Sequence, residues 1–167
     1  KTADILCIND ASTDASGEII DQYPCAQIRN VFGLGYGSAL QLGYKYAVRK
    51  KYQYVIQMDA DGQHDVCNIP IIYSKLRAAD TNGECPDIVL ASRFMEGSSP
   101  FYVSTVKKFA FWLFRTMIYV VTGRRIADPT TGLQGLSKRA FTCYAQYNNF
   151  DYQYPDANMV MQMLLLN

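Results

Sequence analysis

Several common signals are missing from this 167-residue sequence, and each gap closes off a class of function. There is no charge excess: a net of +1 gives no electrostatic case for binding nucleic acid. There is no Cys-x-x-Cys pair among Cys7, Cys25, Cys67, Cys85 and Cys143. Scattered cysteines, odd in number, fit reduced thiols in a cytosolic setting better than a disulfide scaffold or a zinc site. The longest apolar run, Phe109 to Val121, is broken by Arg115 and is too short to span a bilayer. No stretch reads as a secretory leader, and no repeat, low-complexity tract or linker is found. What remains is the composition of a globular protein, 49% hydrophobic and 19% charged, expected as one domain over residues 1–167.

The most informative stretch is Tyr54-Val55-Ile56-Gln57-Met58-Asp59-Ala60-Asp61-Gly62-Gln63-His64. It begins as an apolar strand and ends in two carboxylates spaced i, i+2. Ionised carboxylates stay buried only when paired or bound to metal, so these belong where the strand emerges. Two hard oxygen ligands on one short turn suit Mg²⁺ or Mn²⁺, whose remaining ligands are water and substrate phosphate. The expectation is a strand-end metal site that holds a diphosphate. Asp and Gly after a strand also read simply as a turn. A calcium loop is rejected, because it needs Gly at position six and Glu at twelve, where this sequence has His64 and Pro70.

Taken in order, the chain alternates strand and helix. Strands are predicted over 4–8, 26–31, 52–58 and 87–91, and helices over 15–22, from the glycine turn to about 51, and 69–78. Pro70 is placed in the first turn of its helix. The strands are short and uniformly apolar, which predicts an α/β fold with a mostly parallel sheet covered by helices on both faces. Ligands of open α/β sheets bind outside the carboxyl ends of the strands. Three polar turns stand there: Asn9 to Asp14, Asp59 to His64, and Ser92-Arg93. Asp10 is a candidate acceptor for a base N–H, or a helix cap. Arg93 is a candidate phosphate partner, or one half of a surface ion pair.

Gly33-x-Gly35-x-Gly37 lies between a strand and a helix but departs from the dinucleotide fingerprint, since Ser38 stands where the third glycine belongs. A Walker loop is absent. The cluster reads as a close-packed turn onto a helix start that can still approach a nucleotide. In the second half, Val103 to Val121 is an aromatic-rich helix followed by Arg124 and Arg125. It packs on the sheet or, over residues 107–125, lies at a membrane surface. A polar turn from Ala127 to Gly135 leads into a short strand over 133–136. Helices over 138–147 and from 157 to 166 flank a loop at 150–156.

Five motifs now stand in order: Ile8-Asn9-Asp10-Ala11-Ser12-Thr13-Asp14, Gly35-x-Gly-x-Ala39-x-x-x-Gly43, Met58 to His64, Ala91-Ser92-Arg93-Phe94, and Asp128-Pro-Thr-Thr-Gly132. Together they resemble the family 2 inverting glycosyltransferases of GT-A fold, in particular the dolichyl-phosphate mannose synthase-like branch. The resemblance covers nearly the whole chain. It implies a nucleotide-diphosphate sugar as donor and a lipid-phosphate or saccharide acceptor. It implies that Asp10 reads the base, and that Asp59 and Asp61 bind the donor diphosphate through Mg²⁺ or Mn²⁺, with Gln63 near the metal. Ser12, Gly35, Ala60 and Arg93 complete the expected donor pocket. Asp156 lies where many members place the catalytic base, and Asp128 is a second carboxylate near the acceptor; the competing roles are a helix N-terminal residue favoured by the dipole for Asp156 and fixing the turn through backbone hydrogen bonds for Asp128. The setting implied is cytoplasmic, with peripheral contact at the inner face of a membrane.

The family also has a strand before the one that opens this sequence, and a strand and acceptor-side segment after the last helix. The sequence is therefore expected to lack both, and to be a poor transferase as it stands. Two other readings stay open on the residues alone: a non-catalytic nucleotide-sugar binding module, and a dinucleotide-binding oxidoreductase domain.

Overall fold

The computed structural model describes residues 3–92, 105–128, 131–152, 155 and 157–165. Within them, β1 (Leu6–Asn9), α1 (Ser16–Asp21), β2 (Ala26–Arg29), α2 (Tyr36–Arg49), β3 (Tyr54–Gln57) and α3 (Asn68–Leu76) form the first half. The second half holds β4 (Ile88–Leu90), α4 (Thr105–Thr122), β5 (Gln134–Ser137), α5 (Lys138–Tyr144) and α6 (Ala157–Leu165). Each of these elements overlaps one expected from the sequence. Pro70 falls in the first turn of α3, where its missing N–H has no intrahelical partner to lose.

The α/β class holds, and the pairing adds a detail. β1 and β2 form a parallel ladder, Leu6 opposite Ala26. In the second sheet the order is β3-β5-β4, with β5 antiparallel to both neighbours. β3 and β4 thus run in the same direction, separated by the short return strand that follows the Asp128 turn.

Strand alternation sorts the second sheet's side chains onto two covered faces. Val55, Ile88 and Leu136 face a cluster built from Tyr44 and Ala47 of α2, Phe141 and Tyr144 of α5, and Met159 and Met163 of α6. Tyr54, Ile56 and Val89 face Ile72 and Leu76 of α3, which are i, i+4 on one stripe. Gly135 lies on the α3 side, where an added β-carbon would overlap Ile72 and stand 2.9 Å from Leu76 Cδ1. Glycine there lets α3 lie close on the sheet. Buried Gln41 ties α2 to the end of α5, donating to the carbonyls of Tyr144 at 3.1 Å and Gln146 at 3.0 Å. Ser137 ends β5 and caps α5, accepting from the Ala140 N–H at 3.3 Å.

Candidate active site

The carboxyl end of β1 is fixed by Asn9, whose side chain is buried. Its Oδ1 accepts from the Ser12 N–H at 2.8 Å, and this holds the turn that contains Ala11 at φ 60°. Asp10 does not cap α1. It accepts from Asn30 Nδ2 at 2.6 Å, from the Leu34 N–H at 2.9 Å and from the Gly35 N–H at 2.8 Å. Burial opposes the charged form, but the Leu34 N–H, the Asn30 amide and the Gly35 N–H outweigh it and hold the carboxyl below its usual range. Ser12 is exposed beside an open polar hollow of about 240 Å³ lined by Asn9, Asp14, Arg29 and Asn30 among others.

Two N–H groups of the glycine turn, those of Leu34 and Gly35, donate to Asp10. Gly35, at φ 90°, leads into α2. Gly37 lies against the carbonyls of Asp151 and Tyr152, so the loop after α5 docks on the first turn of α2.

β3 delivers Asp59. Its Oδ1 accepts from the Tyr36 hydroxyl at 2.9 Å. Its other oxygen lies against Gly132, where a β-carbon would overlap Oδ2 and stand 2.5 Å from Cγ. Asp61 is exposed, and its Oδ1 accepts from the Gln63 N–H at 2.9 Å in a turn centred on Gly62 at φ 77°. Ala60 lies between the two carboxylates, exposed like the Gln63 side chain. Among the described residues, no three His, Cys, Asp or Glu side chains form a metal-binding group. That donor set still suits Mg²⁺ or Mn²⁺, which take one or two carboxylates and fill the remaining positions with water and phosphate oxygens.

The third strand end is tied in by Thr131. Its hydroxyl donates to the Ala91 carbonyl at 2.7 Å and accepts from the Leu133 N–H at 3.3 Å. Gln134 Nε2 donates to the Thr131 carbonyl at 2.9 Å. Asp128 at the start of this turn is buried, 1% exposed. Arg93 and Asp156 lie outside the described residues. Their neighbours Ser92 and Pro155 are half-buried and buried.

One line of contacts therefore runs from Asp10 through Gly35 and Tyr36 to Asp59, then through Gly132 and Thr131 to Ala91. It joins all five sequence motifs at the ends of β1, β3 and β4. The profile of Glycosyl transferase family 2 matches residues 1–144. The chain belongs to glycosyl transferase family 2. It is 27% identical to the undecaprenyl-phosphate mannosyltransferase of Micrococcus luteus over 136 residues, which are 78% of this chain and 53% of that protein. It is 30% identical to the polyprenol monophosphomannose synthase of Mycolicibacterium smegmatis over 101 residues, 57% of this chain and 36% of that protein. An uncharacterized protein of Methanocaldococcus jannaschii matches at 26% over 136 residues. The chain spans about half the length of the curated relatives it matches, or less. The mannose-transferring names among these relatives agree with the branch that the motifs resemble.

Two residues that sequence reasoning passed over contact the candidate site residues. Asn30 stands at the end of β2 and reaches Asp10. Tyr36 stands inside the glycine cluster and reaches Asp59. A large aromatic among three glycines was the available signal for Tyr36. Asn30 carried none beyond its place at a strand end.

Proposed function

We propose that this chain binds a nucleotide-diphosphate sugar across the ends of β1 and β3 and transfers the sugar, with inversion, to a lipid phosphate. The observation that carries this reading is the contact line from Asp10 to Asp59 and on to Ala91, which gathers polar residues at three strand ends. Family membership and the mannosyl-transfer names of the relatives support it, and mannose is the sugar those names suggest. Asp10, Ser12 and Gly35 would face the nucleoside. Asp59, Asp61 and Gln63 would hold Mg²⁺ or Mn²⁺, and Ala60 and Arg93 would lie along the diphosphate. A cation held there would offset charge on the departing nucleoside diphosphate. A lipid-phosphate acceptor is already anionic and needs no base. A saccharide acceptor would need one, and Asp156 is the candidate; Asp128, the other carboxylate expected near the acceptor, is 1% exposed and is better placed to hold its own turn.

Differential scanning fluorimetry tests the reading. Guanosine or uridine diphosphate should raise the melting temperature in the presence of Mn²⁺ and leave it unchanged in chelator. Asp61→Asn should abolish the metal-dependent part. An equal shift in that variant would remove the metal site from this account.

A further inference from the structure

Asp59 is held on both sides. Tyr36 donates to Oδ1 at 2.9 Å, and the Gly132 backbone packs against Oδ2 closely enough to leave no room for a side chain. The helix that supplies Tyr36 supplies a second tyrosine to the same strand, since the Tyr44 hydroxyl donates to Gln57 Oε1. Burial, with Tyr144, Tyr36 and Asp59 nearby, pushes the Tyr44 phenol far above its ordinary range, so it remains a donor. Two tyrosine hydroxyls of α2 thus pin β3 at its last residue and just past its end. Immediately before Tyr36, the Gly35 N–H donates to Asp10. The same turn of chain therefore fixes the carboxylate at the end of β1 and the carboxylate at the end of β3.

We propose that Tyr36 is the positioning residue of the metal site. Its hydroxyl sets the rotamer of Asp59, and through Gly35 it links that rotamer to Asp10. This deepens the proposed function and rests on it. A free carboxylate turns about two side-chain bonds, and a ligand that must be reoriented binds more weakly. Loss of an outer partner of this kind typically lowers metal affinity about 10–100-fold. Tyr36 is itself 45% exposed, so Tyr36→Phe removes the hydroxyl while leaving the fold in place.

The test is Mn²⁺ binding, followed by electron paramagnetic resonance or calorimetry with guanosine or uridine diphosphate held constant. Wild type should bind Mn²⁺. Tyr36→Phe should bind it about 10–100-fold more weakly. Its melting temperature without ligands should stay within about 2 °C of wild type, as for a surface substitution. Wild-type Mn²⁺ affinity in Tyr36→Phe would overturn the proposal. So would a fall in affinity matched by a large loss of thermal stability, since that is the mark of a structural role. Absence of Mn²⁺ binding by wild type, with Asp61→Asn indistinguishable from it, would overturn the underlying donor-site reading and this inference with it.

Discussion

Tyr152 closes off the space above Gly37. A β-carbon on Gly37 would overlap the Tyr152 carbonyl oxygen and stand 2.6 Å from the Asp151 carbonyl oxygen. Both obstacles are backbone, so neither can swing aside. Gly37→Ala should therefore cost about 1–3 kcal/mol of overpacking, against a helix-propensity gain of about 1 kcal/mol. Gly43 lies in the same helix and would meet only the tip of Ile8 at 3.1 Å. Gly43→Ala should be near neutral or stabilising. Urea denaturation of the two variants gives the comparison, and equal stability of both would contradict the close docking of the 151–152 loop.

Thr131 should matter through its hydroxyl and not through its volume. It is fully buried and serves Ala91 and Leu133 at once. Thr131→Val keeps the shape and leaves a carbonyl and an N–H without that partner, at an expected cost of about 1–3 kcal/mol. Chemical denaturation measures the cost, and faster exchange of the Leu133 amide would locate it.

Most of the secondary structure could be read from the chain because its signals are local. Leu6-Cys7-Ile8 and Tyr54-Val55-Ile56 are apolar runs, and α2 buries positions 37, 41, 44 and 47 on one stripe. The place of β5 between β3 and β4 could not be read that way. Gln134-Gly135-Leu136 carries little strand propensity, and its partners lie far off in sequence. The acidic turn was legible as a candidate site, since Asp59-Ala60-Asp61 follows a strand. The employment of Asp10 was not. Its partners, Leu34 and Gly35, are twenty-four and twenty-five residues away, and nothing in the spacing announces them.

Asp87 should shape the acid limb of stability. Burial raises its pKa, but the Arg139 guanidinium, donating through Nε at 2.7 Å, and the Ser137 hydroxyl outweigh that and hold it below the usual carboxylate range. A depressed folded-state pKa contributes stability that is fully present above the unfolded value of about 3.9. That contribution is lost as pH falls through the lower folded value. Asp87→Asn should therefore lower the urea midpoint near neutral pH and flatten its fall below about pH 4. Parallel profiles for the variant and wild type would show that the pair adds nothing.

The exposed residues of α4 give a prediction about membrane contact. Trp112, Met117, Val120 and Val121 are exposed, and Arg124 and Arg125 follow directly. No helix among the described residues is long and apolar enough to cross a membrane. Aromatic and basic residues together suit an anionic interface. Co-sedimentation with anionic vesicles should be measurable at low salt and weaken as salt rises. Trp112→Ala with Val120→Ser should reduce it. Equal recovery with neutral and anionic vesicles would count against this surface.

Asp128 and Asp156 separate two roles that the sequence leaves in competition. Asp128 is 1% exposed, and among the described residues of its turn the polar side chains of Thr131 and Gln134 are buried as well. Removing one partner from a buried polar group costs about 1–3 kcal/mol, more if it is charged. Asp128→Ala should therefore lower stability, and turnover should fall only as far as the folded fraction does. Asp156 is proposed as the base for a hydroxyl acceptor. Asp156→Asn should then cut turnover by about 10²–10⁴-fold, with donor binding and melting temperature little changed. With a lipid-phosphate acceptor the same substitution should do far less, because no proton has to be removed. Assaying both variants against both acceptor classes separates the outcomes. If Asp156→Asn loses donor binding and turnover in parallel, the residue supports the donor pocket or the fold, and the base assignment fails.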